Sequence, residues 1–180
     1  MSQLPVEVLS EADVQRLIGH PDRGDVFGLR DAAILSLLYY GAATAGETAH
    51  LDVGDIDWRR GTLSFRSDDG KPRRVPVEEP LREVLDLYLT ESRRPLLAHG
   101  VAAGAVNMPA VFVTNKGHRV HVQDIRQILG AHSKAVGIKS GVNYNTLRLS
   151  RAWHLREAGE PPEKIQRLLG ATSRSGRNVV

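Results

Sequence analysis

Hydrophobic positions fall along the chain in blocks that predict most of its elements. Residues 26–40, VFGLRDAAILSLLYY, are apolar on nearly every side. A surface helix would show one apolar stripe, so this block predicts a buried, central helix. Ser10 followed by Asp13 makes a weak capping box and starts a helix at Glu11 that runs to about Gly19. A short helix over 46–51 comes next, then DVGDIDW as a loop. In 61–77, GTLSFRSDDGKPRRVPV, Leu63 and Phe65 alternate with polar residues, DDGK is turn chemistry, and Val75 and Val77 form a return strand. Pro76 places that strand at a sheet edge.

Residues 79–93 predict an amphipathic helix carrying Leu81, Val84, Leu85, Leu87 and Leu89. The small-residue stretch 95–110 predicts a loop, and VFVT at 111–114 a short strand closed by the turn NKG. Three helices finish the chain, at about 121–136, 145–158 and 161–170. Gly159 stops the second and Pro161-Pro162 suits the first turn of the third. No repeat or low-complexity tract interrupts this order. The expected architecture is mainly α with a small antiparallel β-sheet.

The 180 residues suffice for one domain with a proper core, and 41% hydrophobic with 25% charged residues is ordinary globular composition. There is no cysteine, which excludes disulfide scaffolding and cysteine-based metal or redox chemistry. No apolar run reaches the roughly 20 residues of a membrane helix, and MSQLPVEVLSEAD lacks a signal-peptide layout. A cytoplasmic protein is the default expectation. The net charge of +3 hides an asymmetry: residues 115–180 carry 12 Lys and Arg against 4 Asp and Glu, whereas residues 1–114 carry 12 against 17. A basic final third fits either a polyanion-facing surface or a solvated coat.

Read in order, these parts resemble the catalytic domain of the tyrosine recombinases, the phage-integrase and Xer-like family. LPVEVLSEADVQRLI is similar to that domain's opening. LLYYGAATAGETAHLDVGDIDW is similar to the helix that carries the first active-site Arg and the D-I-D turn behind it. RRVPV resembles the R-x-V-P-L end of the family's Lys hairpin. NTLRLSRAWHLREAG resembles the His-x-x-Arg box, and IQRLLGA the I-Q-x-L-L-G-H motif that precedes the nucleophilic Tyr. Each motif alone is weak, but their collinear order from about Leu4 to Val180 is specific. The resemblance implies a tyrosine-recombinase catalytic-domain fold, of α+β type, over residues 1–180. It also implies that the N-terminal core-binding domain, the other half of the family's DNA clamp, is absent.

The resemblance further implies six chemical groups. Two Arg clamp the scissile phosphate, a Lys protonates the leaving oxygen, two His (the second His or Trp) assist, and a Tyr attacks phosphorus. Carried over one at a time, the first Arg of Gly-Leu-Arg-x-Ser-Glu falls on Thr44, with Glu47 kept behind it. The Lys falls on Asp68, the box His on Asn145, the His of L-L-G-H on Ala171 and the Tyr on Val180. Only the box Arg is present, as Arg148. A missing nucleophile cannot be compensated by its neighbours, and Asp68 would repel a phosphate. The expectation is therefore a pseudoenzyme.

Rebuilding the site from neighbours finds little material. Lys71 reads as a turn Lys in solvent, Tyr144 as a packed aromatic at a helix start, and His154 as a partly buried helix residue off the Arg148 face. His118-x-x-His121 is a weak metal spacing, and no metal or cofactor is expected. Electrostatics can outlive chemistry, so the expected DNA-facing cations are Lys71, Arg73, Arg74, Arg119, Arg126, Lys134, Arg148 and Arg151. Arg148 and Arg151, three apart, share a helix face. Arg148 fits a phosphate contact and a buried ion pair with Glu47 or Asp55 equally well. Four readings stay open. They are a DNA-binding but inactive recombinase-like domain, a module that pairs with an active recombinase or with itself, a live enzyme using Tyr144, and a decaying product without a role.

Overall fold

The computed structural model describes residues 8–66, 72–100, 108–138 and 141–170. Helix α1 (Glu11–Gly19) starts where Ser10 Oγ accepts the Asp13 N–H. Helix α2 (Val26–Tyr40) is capped by Asp25, whose carboxylate accepts the N–H groups of Phe27 and Gly28. From Ala32 to Tyr39 every α2 residue is buried, which is why its sequence carries no polar stripe. Around α2 pack α1, α3 (Ala45–His50), α4 (Glu79–Leu87), α5 (Arg93–Gly100), α6 (Val122–Ala135) and α7 (Tyr144–Glu157). Helix α8 (Pro162–Leu169) lies against α7 and the sheet.

The sheet has three antiparallel strands in the order β1 (Ile56–Asp57), β2 (Thr62–Phe65), β3 (Arg73–Pro76). Leu63 pairs Val75 and Phe65 pairs Arg73, so the inward face is Leu63, Phe65, Arg73 and Val75. Pro76 sits on an edge strand, as its missing N–H requires. The turn residues 68–71 lie outside the described residues.

Three expectations need correction. DVGDIDW is not simply a loop: Val53–Asp55 form a 3-10 turn and Ile56–Asp57 an added strand. The stretch from 95 does not begin as a loop either. Five residues, Tyr88–Ser92, widen α4 into a π turn, and α5 continues to Gly100 with Leu96 buried. VFVT forms no strand; it is held by two isolated bridges, Asp52 to Ala110 and Val113 to Arg119. Tyr88 accounts for the missing strand. Its fully buried ring stacks on Phe112 at 5.4 Å, its O–H donates to Val111 O at 3.0 Å, and Val113 N–H donates to it at 3.3 Å. One phenol thus satisfies backbone groups that a sheet partner would otherwise take. Burial pushes that phenol up to about 12.

The chain's opening is pinned to α7. Leu9 N–H donates to Ser150 Oγ at 2.9 Å, and Leu9 O lies 3.0 Å from His154 Nε2. A carbonyl only accepts, so Nε2 carries the proton and Nδ1 accepts from Tyr39 O–H at 2.8 Å. Burial holds His154 below the ordinary imidazole value, which keeps this neutral tautomer. Helix α7 ends in a Schellman motif: Glu160 N–H reaches Leu155 O, Gly159 N–H reaches Arg156 O, and Gly159 takes φ 80°.

Helix α2 leaves its cap at Gly28, where an added Cβ would stand 2.1 Å from Asp22 O. Gly28→Ala is expected to cost about 1–3 kcal/mol, whereas Gly54→Ala, into open space, stays within about 0.5 kcal/mol. Urea unfolding of both variants checks this.

Candidate nucleic-acid interface

The centre of the site is the turn between α2 and α3. Ala42 takes φ 44°, a left-handed conformation that favours glycine, and it stands where the resembled Gly-Leu-Arg motif has its Gly. The turn aims the carbonyls of Gly41 and Ala42 into the core. Thr44 then caps α3: its Oγ1 accepts Glu47 N–H at 3.0 Å, while Thr44 N–H donates to Glu47 Oε2 at 2.8 Å. This complete capping box fixes a buried carboxylate at the end of the turn.

Arg73 meets that carboxylate. Its Nε and Nη2 donate to the two Glu47 oxygens at 2.6 and 2.7 Å, a bidentate pair. Its remaining donors reach Gly41 O, Ala42 O and Leu168 O, and the guanidinium sits 4.5 Å from the Phe65 ring centre. Arg148, one layer out, donates to Ala42 O at 2.8 Å and to Leu169 O, and lies 3.9 Å from Glu47. Two guanidiniums therefore hold the last carbonyls of α8, at the negative end of its dipole.

The pair's charge balance sets the direction in which its members shift. Burial alone would raise the Glu47 carboxyl. The hydrogen bonds and charge of Arg73, the Thr44 N–H and the Arg148 charge outweigh it and hold the group below its ordinary value. Burial, then the Arg73 charge, push Arg148 down, and Glu47 opposes them. Arg148 remains cationic, as arginine does. Two cations against one carboxylate leave the cluster with one surplus positive charge, and Arg148, 15% exposed, is its outer member.

The expected DNA-facing cations divide sharply. Arg74, Arg126 and Lys134 are exposed, and none has an ion-pair partner among the described residues. Arg126 and Lys134 each follow a buried position of α6, Ile125 and Ser133, so they line one flank of that helix. Arg73 is a correction: it is 9% exposed and faces the core. The signal was present in the sequence, because strand alternation puts residue 73 on the same side as Val75 and Val77. Arg119 is also turned inward, to Ala49 O, Leu51 O and Asp52. Arg151 chelates Glu78 and lies 5.4 Å from the Tyr39 and Tyr40 ring centres. Both are structural ties here rather than free phosphate ligands. For Arg148 the carbonyl and Glu47 contacts match the buried ion-pair expectation, while Asp55 faces Arg66 instead. Asn145 is exposed at the start of α7, and Tyr144 packs against the core as expected of it. Asp68, Lys71, Ala171 and Val180 lie outside the described residues.

Comparison with known proteins agrees with this arrangement. The Phage integrase family model matches residues 7–176. Tyrosine recombinase XerC of Pelotomaculum thermopropionicum is 33% identical over 171 residues, which is 95% of this chain and 55% of that protein. The crystal structure of XerA recombinase superposes with a TM-score of 0.78 at 28% identity, covering 98% of this chain and 60% of that one. A XerH site-specific recombinase bound to a palindromic difH substrate shares the fold, with a TM-score of 0.77 at 19% identity. The chain belongs to the phage integrase, or tyrosine recombinase, family and has that family's catalytic-domain fold. It spans about half the length of the XerC relative.

Removing one partner of a buried pair strands the other. Arg73→Ala is expected to cost about 3–5 kcal/mol, and Arg74→Ala about 0.5 kcal/mol or less, in urea unfolding at neutral pH. Glu47 adds a pH signature. Its folded value is depressed, so its contribution is complete above the ordinary carboxylate value of about 4.3 and is lost as pH falls through the lower folded value. Acid unfolding followed by circular dichroism should therefore be less steep in Glu47→Gln than in the wild type. An equally steep curve would show that the pair does not set acid stability.

Proposed function

We propose that this chain is a duplex-DNA-binding domain of the tyrosine-recombinase type that works in DNA recombination or integration without cleaving DNA. The observation that carries this reading is Thr44. Where the family resemblance calls for a phosphate-clamping Arg, the side chain is a hydroxyl committed to capping α3. A cap cannot also deliver a planar, bidentate cation to a phosphate. Asn145 offers no proton-transferring imidazole, and Arg148 spends its guanidinium on backbone carbonyls. Loss of one phosphate-stabilising donor typically costs about 10²–10³ in rate, and here two of the described positions lack their group. Tyr144 is partly buried against the core at the head of α7, which argues against its serving as the nucleophile.

Binding rests on different groups. Arg74, Arg126 and Lys134 present to solvent charge that has no ion-pair partner among the described residues, and the XerH neighbour holds DNA on the same fold. Contacts of this kind give sequence-independent, salt-sensitive affinity. A second reading, an accessory module that docks on an active recombinase, is favoured by one feature. An open groove of about 570 Å³ runs between β3 and α8, lined by Pro76, Leu155, Pro161 and Leu168 and by charged residues of both signs, Arg74, Lys164 and Arg167 with Glu78 and Glu163.

Fluorescence anisotropy of a labelled duplex, titrated with salt, separates the readings. DNA binding predicts affinity that falls steeply with salt, and a slope reduced by about one for each of Arg74→Ala, Arg126→Ala and Lys134→Ala. No binding at low salt would discard this reading in favour of the docking module. On nicked duplex no covalent protein–DNA adduct is expected. An adduct lost in Tyr144→Phe would establish a live enzyme.

A further inference from the structure

The fold brings together two histidines that lie 112 residues apart in sequence, away from the cluster described above. His20 is the C-cap of α1 and His132 stands in the last turn of α6. Their Nδ1 atoms face each other at 2.8 Å, with the rings edge-on at 65°. The other nitrogen of His132, Nε2, lies 3.1 Å from Asp31 Oδ2. Asp31 is fixed in turn by Arg30, whose Nε and Nη2 donate to its other oxygen at 2.9 and 2.8 Å. Asp31 and Arg30 sit on α2, so the arrangement ties three helices.

These contacts determine where lone pairs point. A carboxylate only accepts, so His132 Nε2 carries a proton and, in the neutral ring, Nδ1 is a bare lone pair aimed at His20. Two lone pairs cannot rest 2.8 Å apart. Either a proton on His20 Nδ1 lies between them, or a cation does. The carboxylate–histidine link is the arrangement that orients a metal-binding imidazole and raises its basicity. Both rings also stand at helix C-termini, where the backbone dipoles favour positive charge.

We propose that His20 and His132 form a site for a divalent late transition metal such as Zn²⁺ or Cu²⁺, bound through the two Nδ1 atoms. Tetrahedral Zn–N bonds near 2.05 Å need the nitrogens about 3.3 Å apart, so the pair opens by about half an ångström. His20, exposed on the end of α1, supplies that movement. The proton on His20 Nδ1 shifts to the other ring nitrogen, Nε2, so the ring stays neutral and no net proton is released. Among the described residues no third His, Asp or Glu joins the group. Water therefore completes the coordination, and affinity follows the usual order of Cu²⁺ above Zn²⁺. The bound ion cross-links α1 to α6 across α2 and stabilises the fold by mass action.

The test is calorimetric titration of the tag-free full chain with ZnCl₂ and, separately, CuCl₂. One site per chain is expected. His20→Gln and His132→Gln should abolish it, and His118→Gln with His121→Gln should leave it intact. Asp31→Asn should keep the stoichiometry and weaken affinity about 10–100-fold. Because His20→Gln alters an exposed side chain, its loss of binding is not a folding artefact, and circular dichroism verifies this. A ¹⁵N shift of both Nδ1 nuclei on adding Zn²⁺ would place the ion between the rings. No heat at millimolar metal, or binding that survives His20→Gln, overturns the proposal and leaves the pair as a shared-proton hydrogen bond.

Discussion

A carboxylate enclosed by a helix cap, two guanidiniums and a turn of backbone carbonyls is the constraint around which this domain is arranged. Glu47 can be buried only because Arg73 meets both its oxygens and Thr44 completes its cap. Arg73 can be buried only because its spare donors find Gly41 O, Ala42 O and Leu168 O. Those three carbonyls belong to the end of α2, the turn after it and the end of α8. A single ion pair thus fastens the central helix, the edge strand β3 and the last described helix to one point. The desolvation cost of a buried charge is tolerable only when its hydrogen-bonding capacity is filled in this way.

The same arrangement makes the site hard to separate from the scaffold. Arg148, the one group kept of the six that family resemblance implies, shares the Ala42 carbonyl with Arg73. Its side chain is a wall of the fold as much as a surface. Chemistry can be lost from such a site while its architecture survives, because Glu47, Arg73 and Arg148 stabilise the turn whether or not a phosphate arrives. Thr44 fits this picture well: at the position where the family resemblance implies a phosphate-clamping Arg, the side chain caps α3.

Most elements are legible in the amino-acid sequence, and for particular reasons. Ser10, Asp13 and Gly159 are local signals whose hydrogen bonds close within a few residues, and α1 and α7 begin or end beside them. The apolar block 26–40 needs no partner to announce burial. Sequence patterns mislead where distant partners decide. Residues 95–100 look like loop by composition, yet Leu96 packs into the core and carries α5 onward. VFVT reads as a strand by propensity, but Tyr88 takes the hydrogen bonds that a neighbouring strand would have supplied.

The order of residues alone therefore specifies most of the helices, the caps that start and stop them, and the motifs that carry the family resemblance. These depend on hydrogen bonds and periodicities spanning a few residues. Packing settles which of the basic residues are surface cations and which are ties. Arg73, Arg119 and Arg151 find acceptors 26, 67 and 73 residues away, and His20 meets His132 across 112. A guanidinium or an imidazole carries the same charge in the sequence wherever it points. Its role is set by which acceptors or lone pairs the packing of the helices brings within hydrogen-bonding distance.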